Sequence, residues 1–268
     1  MLAIFFFCFI QGFTEFLPIS SQGHLILFNN YYSINSTGIS IDQATILAHF
    51  GSLFAVIIYY YKTLKGFLYS LKLLDRPDID KNSFLMVNLT ISSIPIFIFG
   101  YILAKLINYD GEIILVIIGA TSIFFGMILF LVDNFCLRIK NVNSLNYFTS
   151  FLIGAFQSFA LIPGVSRSGS VIIAMRFLGF QRKFAVKYSN LLSIPVIIGA
   201  TGYLFINAFE EQSLSLIISY SSFLIFFLSF IFSFLFIFIF VSWVKKFSLS
   251  IFVVYRFIFG GWILLYLI

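Results

Sequence analysis

The sequence predicts an all-α polytopic membrane protein, an inverted repeat of two halves that each hold a re-entrant helix-loop-helix hairpin plus three transmembrane helices. Three observations lead there. Of the 268 residues, 61% are hydrophobic and only 10% charged, with a mean hydropathy of +1.07; a soluble domain needs far more charge to cover its surface. The apolar residues fall into long stretches, about as long as a bilayer is thick, and short ones. The basic residues gather in alternate connections. Residues 1–268 read as a single integral membrane domain, with repeat one over about 1–133 and repeat two over about 147–268.

In chain order, 2–17 and 23–34 form a first pair of short apolar stretches, broken by a Pro, Ser and Gly cluster. The stretches 44–62, 84–107 and 112–133 follow as full spans. A second broken pair covers 147–162 and 169–180, and the stretches 187–207, 216–240 and 248–268 are the remaining spans. A helix needs about 20 apolar residues to cross the hydrocarbon core, and the long stretches meet or approach that length. The broken pairs enter the membrane and return on the same side. Polar backbone at that depth is tolerated only where protein or a watery cavity surrounds it, so both breaks are expected to face a cavity.

The connections 62–83, 134–146, 176–187 and 245–246 hold 13 of the 16 Lys and Arg residues, which assigns them to the cytoplasm. The connections near 105–111 and 208–215 and both termini then lie outside. The net charge of +6 follows from this sidedness, so nucleic acid is excluded as a partner. No Lys or Arg precedes Lys62 and the first charge is Glu15, so the apolar N-terminus is expected to stay as structure rather than serve as a signal peptide. Cys8 and Cys136 lack paired spacing and read as small apolar fillers. Gln11, Phe13, Ser20 and Gly23 recur at the same offsets as Gln157, Phe159, Ser166 and Gly169. Three spans between the hairpins, an odd number, turn the second hairpin over, and such inverted repeats place their site where the broken elements meet.

Two constellations carry chemistry. In the first, Gln11 and Glu15 stand four apart on one helix face, an amide and a carboxylate able to hold Mg²⁺ or Ca²⁺ through oxygen. An ionisable residue in a membrane segment is expensive and reads as functional by default. After Pro18 come Ser20, Ser21, Gly23 and His24, with Ser21 a nucleophile and His24, three residues on, a base or acid within a helical turn of it. In the second, Ser166, Arg167, Ser168 and Gly169 open a short helix, whose N-terminus, with a planar Arg fork and hydroxyls, suits phosphate oxygens. His49 and Arg256 are read as structural, and the Phe-rich stretch from Phe223 to Phe240 as lipid-facing or packing bulk.

These motifs resemble the signatures of the bacitracin-resistance undecaprenyl-diphosphate phosphatase family. That family carries an acidic residue or Gln, three residues, Glu, then Phe-Leu-Pro-x-Ser-Ser-x-Gly-His, which Gln11, Glu15 and Phe16 to His24 match. Pro163 to Gly169 match its Pro-Gly-x-Ser-Arg-Ser-Gly signature, and the hydropathy likeness runs on through Leu191 to Pro195. The resemblance implies a multi-pass hydrolase of the bacterial inner membrane that converts undecaprenyl diphosphate to the monophosphate. This recycles the lipid carrier for peptidoglycan synthesis and confers bacitracin resistance. It also implies an oxygen-bound divalent cation and a cleft open to the periplasm; a homodimer is an admissible assembly. Gln11 stands where some members have Glu, and Gln22 where Ser or Thr is common.

The expected mechanism has Glu15 and Gln11 holding the cation, Arg167 and the Ser168–Gly169 helix end binding the diphosphate, Ser20 and Ser166 assisting, Ser21 attacking phosphorus and His24 shuttling the proton. Activation of water by His24, or His24 as nucleophile, stays open. A lipid phosphatase with a Ser-Gly-His motif and a histidine nucleophile needs another catalytic His supported by a downstream Asp, and the only other histidine, His49, is far from any matching Arg run. A lipid flippase shares the architecture but needs no Ser-Ser-x-Gly-His run.

Overall fold

The structure, a computed structural model, describes residues 1–32, 34, 39–104, 111–210 and 219–266. Among these the chain is all-α, with one isolated bridge joining Lys140 and Phe180. The first hairpin is α1 (Leu2–Glu15) and α2 (Ser21–Tyr31), followed by α3 (Ile41–Tyr59), α4 (Tyr61–Ser70), α5 (Lys81–Ala104) and α6 (Gly111–Phe135). The second hairpin is α7 (Tyr147–Gln157), which tightens into a 3₁₀ turn over Ser158–Leu161, and α8 (Arg167–Phe177). Then come α9 (Arg182–Glu210), α10 (Tyr220–Trp243) and α11 (Ser250–Tyr266).

Among the described residues five helices, α3, α5, α6, α9 and α10, are long and apolar enough to cross a membrane. Of the sixth predicted span, 248–268, the described residues hold α11, with 17 residues, and 267–268 lie outside them. So do 105–110 and 211–218, on which most of the predicted outer connections fall. The stretch 62–83, read as a plain connection, is partly helical. Its α4 carries Lys62 and Lys65 beside exposed Tyr61, Leu68 and Tyr69 and buries Phe67, a composition suited to lying along the headgroup layer.

Helix pairing follows a pattern. α1 packs on α10 and α7 on α5, while α3 meets α9 and α6 meets α11. Exchanging the halves, α1 for α7, α3 for α9, α5 for α10 and α6 for α11, interchanges the first two pairings and leaves the last two unchanged. The α6–α11 approach is so close that a Cβ on Gly260 would lie 2.6 Å from the Gly119 carbonyl oxygen. Lipid tails are as apolar as the helices, so association in the bilayer depends on packing of this kind.

Two buried charges lock the bundle. Arg256 of α11, only 2% exposed, donates from Nε to the Ser122 carbonyl at 3.0 Å, from Nη1 to Pro18 at 3.2 Å and Val165 at 3.0 Å, and from Nη2 to Thr121 at 3.3 Å and Gly164 at 3.1 Å. Pro18 lies in the first break and Gly164 and Val165 in the second, so one side chain fixes both tips against α6. This is the structural role read from the sequence. Near the end of α6, Asp133 accepts Nε of Arg176 at 3.1 Å, Nε and Nη2 of Arg182 at 2.6 and 2.8 Å, and the Leu249 N–H at 3.0 Å. It thereby ties α6, α8, the start of α9 and the approach to α11.

Removing Asp133 strands Arg176 in the interior without a carboxylate. We predict that Asp133→Ala lowers stability by about 3–5 kcal/mol, seen as a lower unfolding midpoint in detergent; an unchanged midpoint would mean the network contributes nothing. Arg256→Lys keeps the charge but loses the planar fork that reaches five carbonyls, so the same measurement is predicted to show a lower midpoint. A midpoint equal to the parent's would remove Arg256 from its role as the clamp of the two tips.

Candidate active site at the meeting of the two hairpins

Local sequence sets each tip. Pro18 has no N–H and restricts the residue before it, so α1 stops and the chain crosses to Ser20. There the Ser20 hydroxyl accepts from the Gly23 N–H at 3.3 Å and caps α2. The second tip repeats the device, with the Ser166 hydroxyl accepting from the Gly169 N–H at 3.2 Å to cap α8. Gly164 takes φ +89°, open to glycine, and its neighbour loop is held by the Thr121 hydroxyl donating to the Pro163 carbonyl at 2.7 Å. Ser166 itself sits at φ 72°, ψ 121°, a conformation costly for a residue with a Cβ, on the order of 1–3 kcal/mol. The strain is held in place by the tip-to-tip contacts: the Ser166 hydroxyl donates to the Leu17 carbonyl at 3.4 Å, and the Ser168 hydroxyl donates to the same oxygen.

Everything converges on Glu15. Its Oε2 accepts Nε2 of Gln11 at 3.1 Å and the Ser21 hydroxyl at 3.1 Å, with Nε2 of His49 at 3.6 Å. Its Oε1 faces Nη2 of Arg167 at 3.4 Å, while Nη1 of Arg167 donates to the Ser189 carbonyl at 3.1 Å. A carboxylate from the first hairpin is thus paired with a guanidinium from the second. Glu15, Ser20, Ser21, His49, Ser166 and Arg167 line a cleft of about 340 Å³ between the tips, α3, α5 and α9.

Several predicted residues fall elsewhere. His24 is not brought to Ser21. Its ring stacks on Phe259 at a centroid distance of 3.9 Å, its Nδ1 lies 2.5 Å from the Ser20 carbonyl and its Nε2 2.5 Å from the Tyr255 hydroxyl. The carbonyl can only accept, so Nδ1 carries the proton and Nε2 accepts from Tyr255, which leaves neither nitrogen for the serine. Ser168 is fully buried and its hydroxyl is spent on Leu17 and Ser166, while the Gly169 N–H is held by the Ser166 cap. Both build the tip rather than face the cleft. Ser20 lines the cleft, but its hydroxyl caps α2.

His49, read as structural, is instead at the site. Its Nδ1 donates to the Thr45 carbonyl at 2.8 Å, which turns Nε2 toward Glu15. The available signal was the polar line Thr45, His49 and Ser52 on one face of an otherwise apolar span, since an ionisable group inside the membrane is seldom idle. Gln11 is fully buried and its Oε1 has no partner among the described residues. A lone amide oxygen beside a carboxylate and a hydroxyl fits a hard cation that prefers oxygen ligands. Among the described residues no three His, Cys, Asp or Glu cluster as a metal site, so any such ion would need oxygens from substrate or water.

The profile of the family described as "Bacitracin resistance protein BacA" matches residues 4–262. Over 255 residues the chain is 38% identical to the undecaprenyl-diphosphatase of Pelagibacter ubique, covering 93% of this chain and 91% of the other. It is 39% identical to that of Jannaschia sp. over 206 residues, covering 75% and 74%, and 33% identical to that of Saccharophagus degradans over 264 residues, covering 96% and 94%. With its two hairpin motifs meeting at one cleft and this match along nearly its whole length, the chain belongs to the BacA family.

Proposed function

We propose that this protein hydrolyses undecaprenyl diphosphate to undecaprenyl phosphate and inorganic phosphate in a bacterial inner membrane, from a cleft facing the periplasm. The lipid carrier so returned serves peptidoglycan synthesis, and a cell that hydrolyses it faster resists bacitracin. The two hairpins are taken as the matching elements of an inverted repeat. The observation that carries the reading is the shared carboxylate: Glu15 holds the Ser21 hydroxyl on one oxygen and Arg167 on the other.

That arrangement suits phosphoryl transfer through a serine. Arg167 exchanges part of its contact with Glu15 for oxygens of the diphosphate and draws the terminal phosphate toward Ser21. Ser21 Oγ attacks the terminal phosphorus as its proton passes to Glu15 Oε2, and the bond from that phosphorus to the bridging oxygen breaks. Undecaprenyl phosphate leaves with the bridging oxygen. Glu15 passes that proton to the departing undecaprenyl phosphate; water then attacks the phosphoserine and gives a proton to Glu15, which returns it to Ser21 Oγ as the bond from phosphorus to Oγ breaks, so phosphate is released and the enzyme restored. Gln11 and Glu15 would hold Mg²⁺ or Ca²⁺, which supplies charge neutralisation for the diphosphate. His49, directed at Glu15 Oε2, takes the proton-handling place first assigned to His24. His24 and Tyr255 instead fix the start of α2, and with it the Ser21 hydroxyl.

Phosphate release from undecaprenyl diphosphate by purified protein tests the reading. Release is expected from the parent, to stop with a chelator, and to be absent in Ser21→Ala; a parent with no release under saturating Mg²⁺ and Ca²⁺ would contradict it. Arg167→Ala is predicted to lose roughly 100-fold or more in turnover, about 3 kcal/mol of transition-state stabilisation, with Arg167→Lys between it and the parent. Near-parental turnover in Arg167→Ala would return the second tip to a purely structural role. Glu15→Gln, which keeps shape and loses charge, is predicted to lose most activity while remaining folded, and unchanged turnover would remove Glu15 from the chemistry.

A further inference from the structure

The phosphatase reading places a diphosphate at Glu15 and Arg167, inside the protein, with a long isoprenoid chain attached to it. The chain has to remain in hydrocarbon while the head is held among polar groups, so the cleft needs an apolar gap in its helical wall. An apolar slot of about 330 Å³ lies between α5 and α9. Ile96, Leu161, Val196 and Ala200 line both this slot and the polar cleft, so the two spaces adjoin. The outer lip of the slot is made by Phe97, Tyr101 and Tyr203, which are 43%, 64% and 50% exposed.

Two other apolar cavities do not share this property. One lies between α3 and α9, around Phe50, Ile198 and Gly202, with a volume of about 430 Å³; the other lies around Ile128, Phe156 and Phe177 on α6, α7 and α8. Neither has a lining residue in common with the polar cleft. Its shared wall with the cleft therefore singles out the α5–α9 slot.

We infer that this slot is the lateral passage by which the isoprenoid chain of a lipid diphosphate leaves the catalytic cleft for the bilayer, and that Gly100 keeps it open. The inference rests on the phosphatase reading and adds the place of the chain to it. Lipid is as apolar as the slot, so no hydrophobic gain draws the chain in; what the slot supplies is room. Glycines on both helices provide it. A Cβ on Gly199 would lie 3.0 Å from Cζ of Phe97, so the Phe97 ring already rests against that backbone. Among the described residues, a Cβ on Gly100 would meet only Leu161 Cδ2, at an ordinary 3.6 Å, so a larger side chain there grows into the passage. Gly100 lines the slot and not the cleft, which makes it a specificity position separate from the reacting groups.

The test compares kcat and KM for parent, Gly100→Ala, Gly100→Phe and Gly202→Phe on undecaprenyl diphosphate and on the shorter farnesyl diphosphate, each protein checked as monodisperse. Gly202 lines a cavity that shares no residue with the cleft, with nothing within 4 Å of a Cβ there among the described residues, so its Phe is a control for bulk added to a membrane helix. Gly100→Phe is expected to lose about tenfold or more in kcat/KM on the long substrate, mainly through KM and with a smaller loss on the short one. Gly100→Ala and Gly202→Phe should match the parent. Full activity of Gly100→Phe on the long substrate, or an equal loss in Gly202→Phe, would overturn the passage while leaving the phosphatase reading intact. A parent inactive on both substrates would overturn the reading itself. Should Gly100→Phe not fold, a photoactivatable isoprenoid diphosphate on the parent decides: labelling of the segments that hold Phe97 and Tyr203 supports the slot, and labelling confined to α3 or α6 refutes it.

Discussion

Glu15 and Arg167 approach to 3.4 Å from half-helices that lie on separate hairpins, 152 residues apart in sequence. Neither charge is stable alone at that depth, since an unpaired ion inside a bilayer protein costs several kcal/mol and a partner restores only part of it. The pairing works because each partner is also held by other polar groups, Glu15 by Gln11 and Ser21, Arg167 by the Ser189 carbonyl. Ser21, the proposed nucleophile, is bonded to this pair, so the proposed reaction depends on the geometry of the two tips. That geometry rests in turn on Arg256, whose five carbonyl partners include both tips. Among the described residues Arg256 finds only neutral carbonyls as acceptors, so its positive charge stays without a carboxylate beside the two tips.

The architecture separates stability from chemistry along the helices. Asp133 gathers Arg176 and Arg182 away from the cleft. At the cleft, by contrast, Ser166 is held in a strained conformation, and Gln11 keeps a buried amide oxygen without a partner among the described residues. Strain and unsatisfied polar atoms of this kind persist where the surroundings over-determine them, and they gather at functional sites. A substrate that brings anionic oxygens, with or without an attendant cation, is the natural complement to such a site.

Much of this was legible in the sequence. Composition and the spacing of apolar stretches located the helices, and the broken pairs around Pro18 and Pro163 appeared as hairpins because Pro, Ser and Gly clustered together favour a break in an apolar helix. Glu15 and Arg167 stood out because charge is rare inside membrane segments. Side-chain direction was not legible. His24 follows Ser21 by three residues, yet its ring turns to Tyr255 and Phe259 on α11, an encounter across 231 residues that spacing cannot express. His49 was missed for the complementary reason, since the helix that carries it touches the first tip only through the tertiary fold. Ser168 and Gly169 have the composition of an anion cradle, but the same groups can close a tip on itself, and here they do.

The central claim is that the two hairpins form one site because the charges of Glu15 and Arg167 act as a unit. A double-mutant cycle on turnover of undecaprenyl diphosphate, using Glu15→Gln, Arg167→Ala and the two together, measures that directly. Groups in contact are expected to show a coupling of about 1–3 kcal/mol, so the double variant should lose about 5-fold to 100-fold less than the product of the two single losses. Losses that simply multiply would contradict the account, because they would mean that each tip contributes to the reaction without the other.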